Sequence, residues 1–424
     1  MENLGPADSG AGIGPAYSAE ALTGDMCLRN DASGRFLLGQ NGALALAVGT
    51  DVARLSLMDH TPLPLVQRLE TAVYRIPTDS PESDGTATWD NTDLIVVRVD
   101  AGGIVGLGWT YAAAAAGGIV NDLLAPHVVG RSPADIEGAW QAMARAVRNA
   151  GRPGVCATAI SAVDVALWDL KARLLGLPLV DLLGAVRQAV PIYGSGGFTS
   201  YDLSQLKAQL GGWASQEIRS VKMKIGREPA ADPTRVAAAR EAIGDGCQLF
   251  VDANGAYTRK QALAMAEQFA GEAEVTWFEE PVSSDDLEGL RLLRDRMPGT
   301  IDVAAGEYGY TPGYFRRMLQ AGAVDCLQAD ATRCGGFTGF LKTAALCEAF
   351  HVPLSAHCAP QLHAHVGCCA EAVRHIEYFY DHARISDLLF EGALKPIEGS
   401  LTPDRSKPGH GISLNQAAAS TFAL

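Results

Sequence analysis

From Val190 onward the chain repeats one pattern: a short apolar run, a turn, then a helix-forming segment. The runs occupy residues 190–193, 220–224, 249–252, 275–279, 301–305, 324–329, 352–356 and 375–378. Capping residues predict helix starts at Asp232-Pro233, Thr258, Ser283-Ser284 and Thr311-Pro312. Eight such units without a break predict a (β/α)₈ barrel of the TIM type over residues 189–390, in preference to an open doubly wound sheet. The texture ahead of it is different. Residues 66–75 and 94–99 are β-rich runs flanking a polar stretch, 77–91, that holds Gly85 and Trp89. Ala101-Gly102-Gly103-Ile104 is a hairpin signal. Ile160, Val163, Leu167, Leu170 and Leu174 then line one face of a predicted helix that stops before Gly176. Strands followed by helices predict a separate α+β domain over residues 66–188.

Residues 1–57 are rich in Gly, Ala and Ser with weak periodicity, and are read as a flexible extension; Met58 is an alternative start. The chain has 424 residues, 48% hydrophobic and 19% charged, with a formal charge of −14. An acidic balance argues against a nucleic-acid partner, since phosphate binding needs a basic face. No apolar run reaches membrane-spanning length, and residues 1–15 lack the basic start and apolar core of a secretory signal. Nine cysteines without a CxxC pair predict a reduced, cytoplasmic protein with no disulfide framework. A homo-oligomer is expected.

The chemistry lies in where polar residues fall. Lys222 and Lys224 end the second run, Asp252 and Asn254 the third, and Glu279 and Glu280 the fourth. Glu307, Asp330 and His357 end the next three, and Glu377 lies in the eighth. From Lys224 to Glu377 the intervals are 28, 27, 28, 23, 27 and 20 residues, each about one βα unit. A single such charge reads as a solvated loop residue; seven consecutive ones converge on the C-terminal mouth of a barrel. Asp252, Glu279 and Glu307 would crowd three like charges together. Hard oxygen donors there favour Mg²⁺, with Mn²⁺ as a substitute. Salt bridges to arginine are the bland alternative, disfavoured because no Arg occupies a neighbouring strand end. Spacing does not choose between Glu279 and Glu280. Lys222 and Lys224 share one face of their strand, so Lys222 and a metal would depress the pKa of Lys224 and make it a usable base. Asp330 and His357 end neighbouring strands, which allows a carboxylate–imidazole pair.

These segments resemble the enolase superfamily, specifically its mandelate-racemase-like subgroup. The resemblance runs through Val221-Lys222-Met223-Lys224, Val251-Asp252-Ala253-Asn254-Gly255, Trp277-Phe278-Glu279-Glu280-Pro281 and Ala305-Gly306-Glu307. It continues in Gln328-Ala329-Asp330, Cys334-Gly335-Gly336, Ser355-Ala356-His357 and the helical segment 159–171. It implies that Asp252, Glu279 and Glu307 ligate the metal, and that Lys224 is the base on one face of the substrate α-carbon. It further implies that His357, paired with Asp330, serves the other face. Lys222 and Asn254 resemble residues supporting Lys224 and the substrate oxygens, and Glu377 an acid that hydrogen-bonds a substrate carboxylate. The α+β domain becomes a capping domain that closes loops over the barrel mouth, with residues 391–424 returning to it.

The implied reaction is Mg²⁺-dependent removal of an α-proton from a small carboxylate through an enediolate, with acid-sugar dehydration favoured over 2-hydroxyacid racemisation or epimerisation. Ser195, in a Gly194-Ser195-Gly196-Gly197 turn that lacks a phosphate-loop pattern, is expected to contact substrate. Specificity is expected from Trp89 and from Tyr111 in Trp109-Thr110-Tyr111. His363 and His365 form an HxH pair of the sort metal-dependent hydrolases use, but after the seventh strand and inside a predicted helix. They are read as ordinary helix histidines near the mouth. A catalytically inactive binding module is the remaining alternative, and the complete acid/base set argues against it.

Overall fold

The computed structural model describes residues 62–424. The extension read over residues 1–57 lies outside these. Eight parallel strands close a barrel: β4 (Val190–Gly196), β5 (Ser220–Lys224), β6 (Gln248–Asp252), β7 (Val275–Glu279), β8 (Asp302–Ala305), β9 (Cys326–Ala329), β10 (Leu354–Ala356) and β11 (Val373–Phe379). Closure comes from β11 pairing with β4, Glu377 opposite Tyr193. Each strand coincides with one apolar run of the sequence, because a strand enclosed by helices outside and side chains inside has no solvent face to alternate toward. Thr258 caps its helix through a capping box with Gln261. The helix predicted to start at Ser283-Ser284 begins instead at Leu287. Asp286, three residues before Gly289, accepts the Gly289 N–H at 3.0 Å.

Ahead of the barrel, β1 (Arg68–Ser83), β2 (Thr88–Ala101) and β3 (Ile104–Tyr111) form an antiparallel sheet in that order. The helix Val155–Leu174 lies flat on β3. A Cβ on Gly108 would stand 2.2 Å from the Ala162 carbonyl oxygen, so only glycine permits this approach. Its apolar stripe faces the sheet, while Ser161 and Asp164 face the turn after β9. There the Gly335 N–H donates to Ser161 Oγ at 2.9 Å, and the Thr338 N–H and hydroxyl donate to Asp164 at 3.0 and 2.6 Å. Gly336 sits at φ +75, and a Cβ on it would meet Asp164 Oδ2 at 2.2 Å. The segment 159–171 and the Cys334-Gly335-Gly336 turn are thus two sides of one seam.

The polar stretch 77–91 is not a loop. β1 and β2 run through it as a long hairpin with a register shift between Pro77 and Glu82. The tip lies on the barrel mouth, where a Cβ on Gly85 would stand 2.4 Å from the Ala253 carbonyl oxygen. The Thr199 N–H donates to the Ser83 carbonyl at 2.8 Å. Arg227 donates to the Asp84 carbonyl at 3.1 Å and to Thr88 Oγ1 at 2.8 Å. Trp89 donates to Glu82 at 2.8 Å and meets Phe198 edge-on.

Burial, with the Asp381 carboxylate nearby, pushes Glu82 up to about 8 despite the Trp89 bond. A carboxyl raised on folding contributes fully below its ordinary value of 4.5 and loses that contribution as pH rises through about 8. Melting temperatures from about pH 5 to about pH 9 should therefore fall more steeply for the wild type than for Glu82→Gln. Parallel curves would show that Glu82 carries no such load.

Candidate active site

Alternation within each barrel strand builds the site in layers. Tyr193, Phe250, Trp277, Ala304 and Cys326 point inward and form an apolar floor. Two residues further along their strands, Asp252 stands above Phe250 and Glu279 above Trp277, whose indole donates to Glu279 Oε2 at 3.0 Å. Lys222 lies over the Tyr193 ring, its Nζ 5.4 Å from the centroid.

Asp252, Glu279 and Glu307 are buried, and a carboxylate oxygen from each lies within 4.8 Å of the others. The fit to a divalent cation follows from this oxygen-only donor set and from one orphaned atom. Glu307 Oε2 is buried without a hydrogen-bond partner. Glu280, on the same turn at φ 37, is also buried and its Oε1 lacks a partner, but it falls outside this closest trio. Burial and the neighbouring carboxylates push both Glu279 and Glu280 well above the usual carboxylate range.

Two lysines share the space. Lys222 Nζ is 2.5 Å from Glu279, 2.8 Å from Glu377 and 3.4 Å from Asp252, all buried. Lys224 Nζ contacts Asp252 Oδ2 at 2.5 Å. The expected depression of the Lys224 pKa is tied to a bound cation; among the carboxylates alone the balance runs the other way. Burial, the largest single influence, and the Lys222 charge work against its ammonium, but Asp252, Glu307 and Glu279 together hold it above its ordinary value. Arginine is not absent either: Arg333, three residues past Asp330, reaches Glu307 at 3.5 Å. The turn after β9 brings it back to the mouth, although no strand ends in arginine.

At the other end of the carboxylates, His357 Nε2 is 3.6 Å from Glu307 Oε2. Its Nδ1 meets Asp330 Oδ2 at 2.9 Å. The second Asp330 oxygen accepts the Thr332 N–H and hydroxyl, each at 2.7 Å. Burial opposes the Asp330 charge, but the His357 bond and charge hold it well below the usual range. Lys224 and His357 therefore flank the oxygen cluster from opposite sides. Asn254 adopts φ 46; its N–H donates to Asp252 Oδ1 at 2.9 Å, and its side-chain oxygen is buried without a partner.

Other predicted contacts fall elsewhere. Ser195 is fully buried and donates to Glu377 Oε1 at 2.6 Å, so it braces Glu377 rather than facing the mouth. Tyr111 stacks on His382 at 3.5 Å, and His382 Nδ1 accepts the Ala359 N–H at 3.1 Å, beneath the loop that carries His357. Trp89 lies on the hairpin over the mouth. His363 and His365 sit fully buried in the helix Pro360–Gly367. His363 Nε2 accepts the Ala331 N–H at 2.9 Å, and burial pushes His365 down to about 3. Both are thus packed helix histidines. Sequence reasoning missed Cys358, whose thiol is 3.3 Å from His357 Nε2. Its φ of 51 aims it there, and no sequence signal marks such a bend.

Residues 205–418 match the family model for enolase C-terminal domain-like proteins, and residues 69–184 that for the mandelate racemase/muconate lactonizing enzyme N-terminal domain. The chain is 34% identical over 360 residues to a 3,6-anhydro-alpha-L-galactonate cycloisomerase from Streptomyces coelicolor, covering 83% of this chain and 97% of that one. It superposes at TM-score 0.84 on a mandelate racemase/muconate lactonizing enzyme-like protein from Rubrobacter xylanophilus, with 55% identity, over 85% of this chain and 100% of that one. It also superposes at TM-score 0.77 on an L-talarate dehydratase from Polaromonas sp. complexed with Mg and L-glucarate, with 30% identity, over 85% and 97% of the chains.

Proposed function

Because the chain belongs to the mandelate racemase/muconate lactonizing enzyme family of the enolase superfamily, we propose that it dehydrates an acid sugar, using Lys224 and His357 on opposite faces of the α-carbon. It is a magnesium-dependent enzyme of that superfamily. The observation carrying the proposal is the opposed placement: Lys224 against Asp252, His357 against Glu307, with the carboxylate trio between them. The sugar-acid relatives support the substrate class.

Asp252, Glu279 and Glu307 would hold the cation. When bound, it supplies a Lewis acid for the substrate carboxylate and takes up carboxylate charge that otherwise keeps Lys224 protonated. Lys224 Nζ removes the α-proton, leaving an enediolate. Lys222, fixed by Glu279 and Glu377, lies at the same level and adds positive charge near the developing anion. His357, oriented through Nδ1 by Asp330, delivers the proton from Nε2 to the departing β-hydroxyl, which leaves as water. The resulting enol then tautomerises to a 2-keto acid. The hairpin tip held by Arg227 and Thr199 excludes solvent from this step.

A panel of aldonic and aldaric acids, assayed for 2-keto products with and without a chelator, tests the reading. One or more should give a 2-keto acid that chelation abolishes and Mg²⁺ restores. Turnover that survives exhaustive chelation, or products that are only epimers, would overturn it.

A further inference from the structure

Beside the oxygen cluster lies a donor set of different chemistry. His357 Nε2 is 3.3 Å from Cys358 Sγ, Cys358 Sγ is 3.4 Å from Glu377 Oε2, and Glu377 Oε2 is 3.6 Å from His357 Nε2. All three residues are buried, and their nitrogen, sulfur and oxygen atoms converge as a possible metal-holding group. A tetrahedral zinc ion with ordinary bond lengths would separate such atoms by about 3.4–3.6 Å. The triangle thus has nearly the right edges already.

Its supports are in place as well. Metal-ligating histidines usually give their other nitrogen to a carboxylate, as His357 Nδ1 does to Asp330 at 2.9 Å. Glu377 keeps Oε2 for this triangle because Oε1 is engaged by Ser195 at 2.6 Å and Lys222 at 2.8 Å. The Cys358 N–H also donates to Glu377 Oε2 at 3.0 Å, fixing the loop that carries the thiol.

We infer that His357, Cys358 and Glu377 form a second cation site, selective for a borderline-soft divalent ion such as Zn²⁺. Imidazole and thiolate donors favour Zn²⁺ over Mg²⁺, whereas the Asp252, Glu279 and Glu307 oxygens favour the harder ion. Binding exchanges the Cys358 thiol proton for the metal: one S–H bond breaks, one S–metal bond forms, a proton leaves to solvent, and nothing is oxidised. The ion occupies the Nε2 lone pair that proton transfer needs, so it inhibits at a place the activating ion does not use. That inhibitory consequence rests on the proposed function; the binding itself does not.

Cobalt(II), a spectroscopic stand-in for zinc, tests the site on the full chain in excess Mg²⁺. One equivalent should produce a thiolate-to-cobalt charge-transfer absorption, release one proton, and be displaced by Zn²⁺. Cys358→Ser should remove the absorption and weaken Zn²⁺ binding by at least about 10-fold. Absence of the absorption in the wild type overturns the inference without any variant. So does Zn²⁺ binding that Glu279→Gln abolishes and Cys358→Ser leaves unchanged, because the ion would then lie among the oxygens. A protein that shows the band yet turns over no acid sugar would instead count against the proposed function.

Discussion

His357→Asn is expected to end dehydration while leaving Lys224 able to exchange the α-proton of one substrate configuration with deuterated solvent. Lys224→Ala should do the converse, with any exchange confined to the opposite configuration. The reason is geometric: the two side chains border the carboxylate trio from opposite sides, against Asp252 and Glu307 respectively. Each therefore has access to one face of a carbon held there. Removing a general acid or base usually costs about 10² to 10⁴ in rate, which leaves exchange measurable by proton NMR. Asp330→Asn should give a milder version of the His357 loss, because the ring remains but loses its charged Nδ1 partner. Suitable probes carry an exchangeable α-proton in both configurations. Normal turnover by the His357 variant, or exchange of the same isomer by both variants, would sink the two-base arrangement.

The second large effect concerns stability. Lys222 is fully buried and pairs directly with Glu279 and Glu377. Burial works against its charge, yet those carboxylates hold its pKa well above the ordinary value. Lys222→Met keeps the aliphatic length and deletes the charge, leaving buried carboxylates without their cation. Breaking a buried ion pair from one side costs about 3–5 kcal/mol, so the urea midpoint should drop clearly. Millimolar Mg²⁺ should recover part of the loss, since a ligand that binds only the folded state stabilises it. An unchanged midpoint would mean that the carboxylates carry no charge for Lys222 to neutralise.

The barrel was legible because its strands are short, apolar and end in a polar residue, so Lys224, Asp252 and Glu279 marked both the strand and its functional end. The hairpin was not. Its strands carry Pro77, Asp79, Pro81 and Asn91, and its tip is tied to the barrel by Arg227 and Thr199 rather than by apolar alternation. Only the folded chain brings those partners together. The carboxylate trio and the Asp330–His357 pair followed from strand order. Arg333 and Cys358 did not, because a turn and a left-handed backbone angle aim them. The cation-free balance at Lys224 was hidden for a related reason: it depends on how closely Asp252, Glu307 and Glu279 together approach the ammonium, and spacing along the chain does not contain those distances.

Residues 410–424 complete the sheet that residues 68–111 begin. β1 is the edge of its sheet, and its free side meets the final residues: Tyr74 bridges to Ala423, and the Leu424 N–H donates to the Val73 carbonyl at 3.0 Å. His410 likewise donates its N–H to Asp169, on the helix that lies over β3, at 2.8 Å. During synthesis the sheet is therefore made before the barrel and sealed only after all eight barrel strands have emerged. Until then an open strand edge invites pairing with other chains. Expression of a chain lacking its last residues, followed by its soluble fraction, reads that hazard directly. A truncated or stalled product fails at the domain farthest from the break in sequence, with its barrel strands all present.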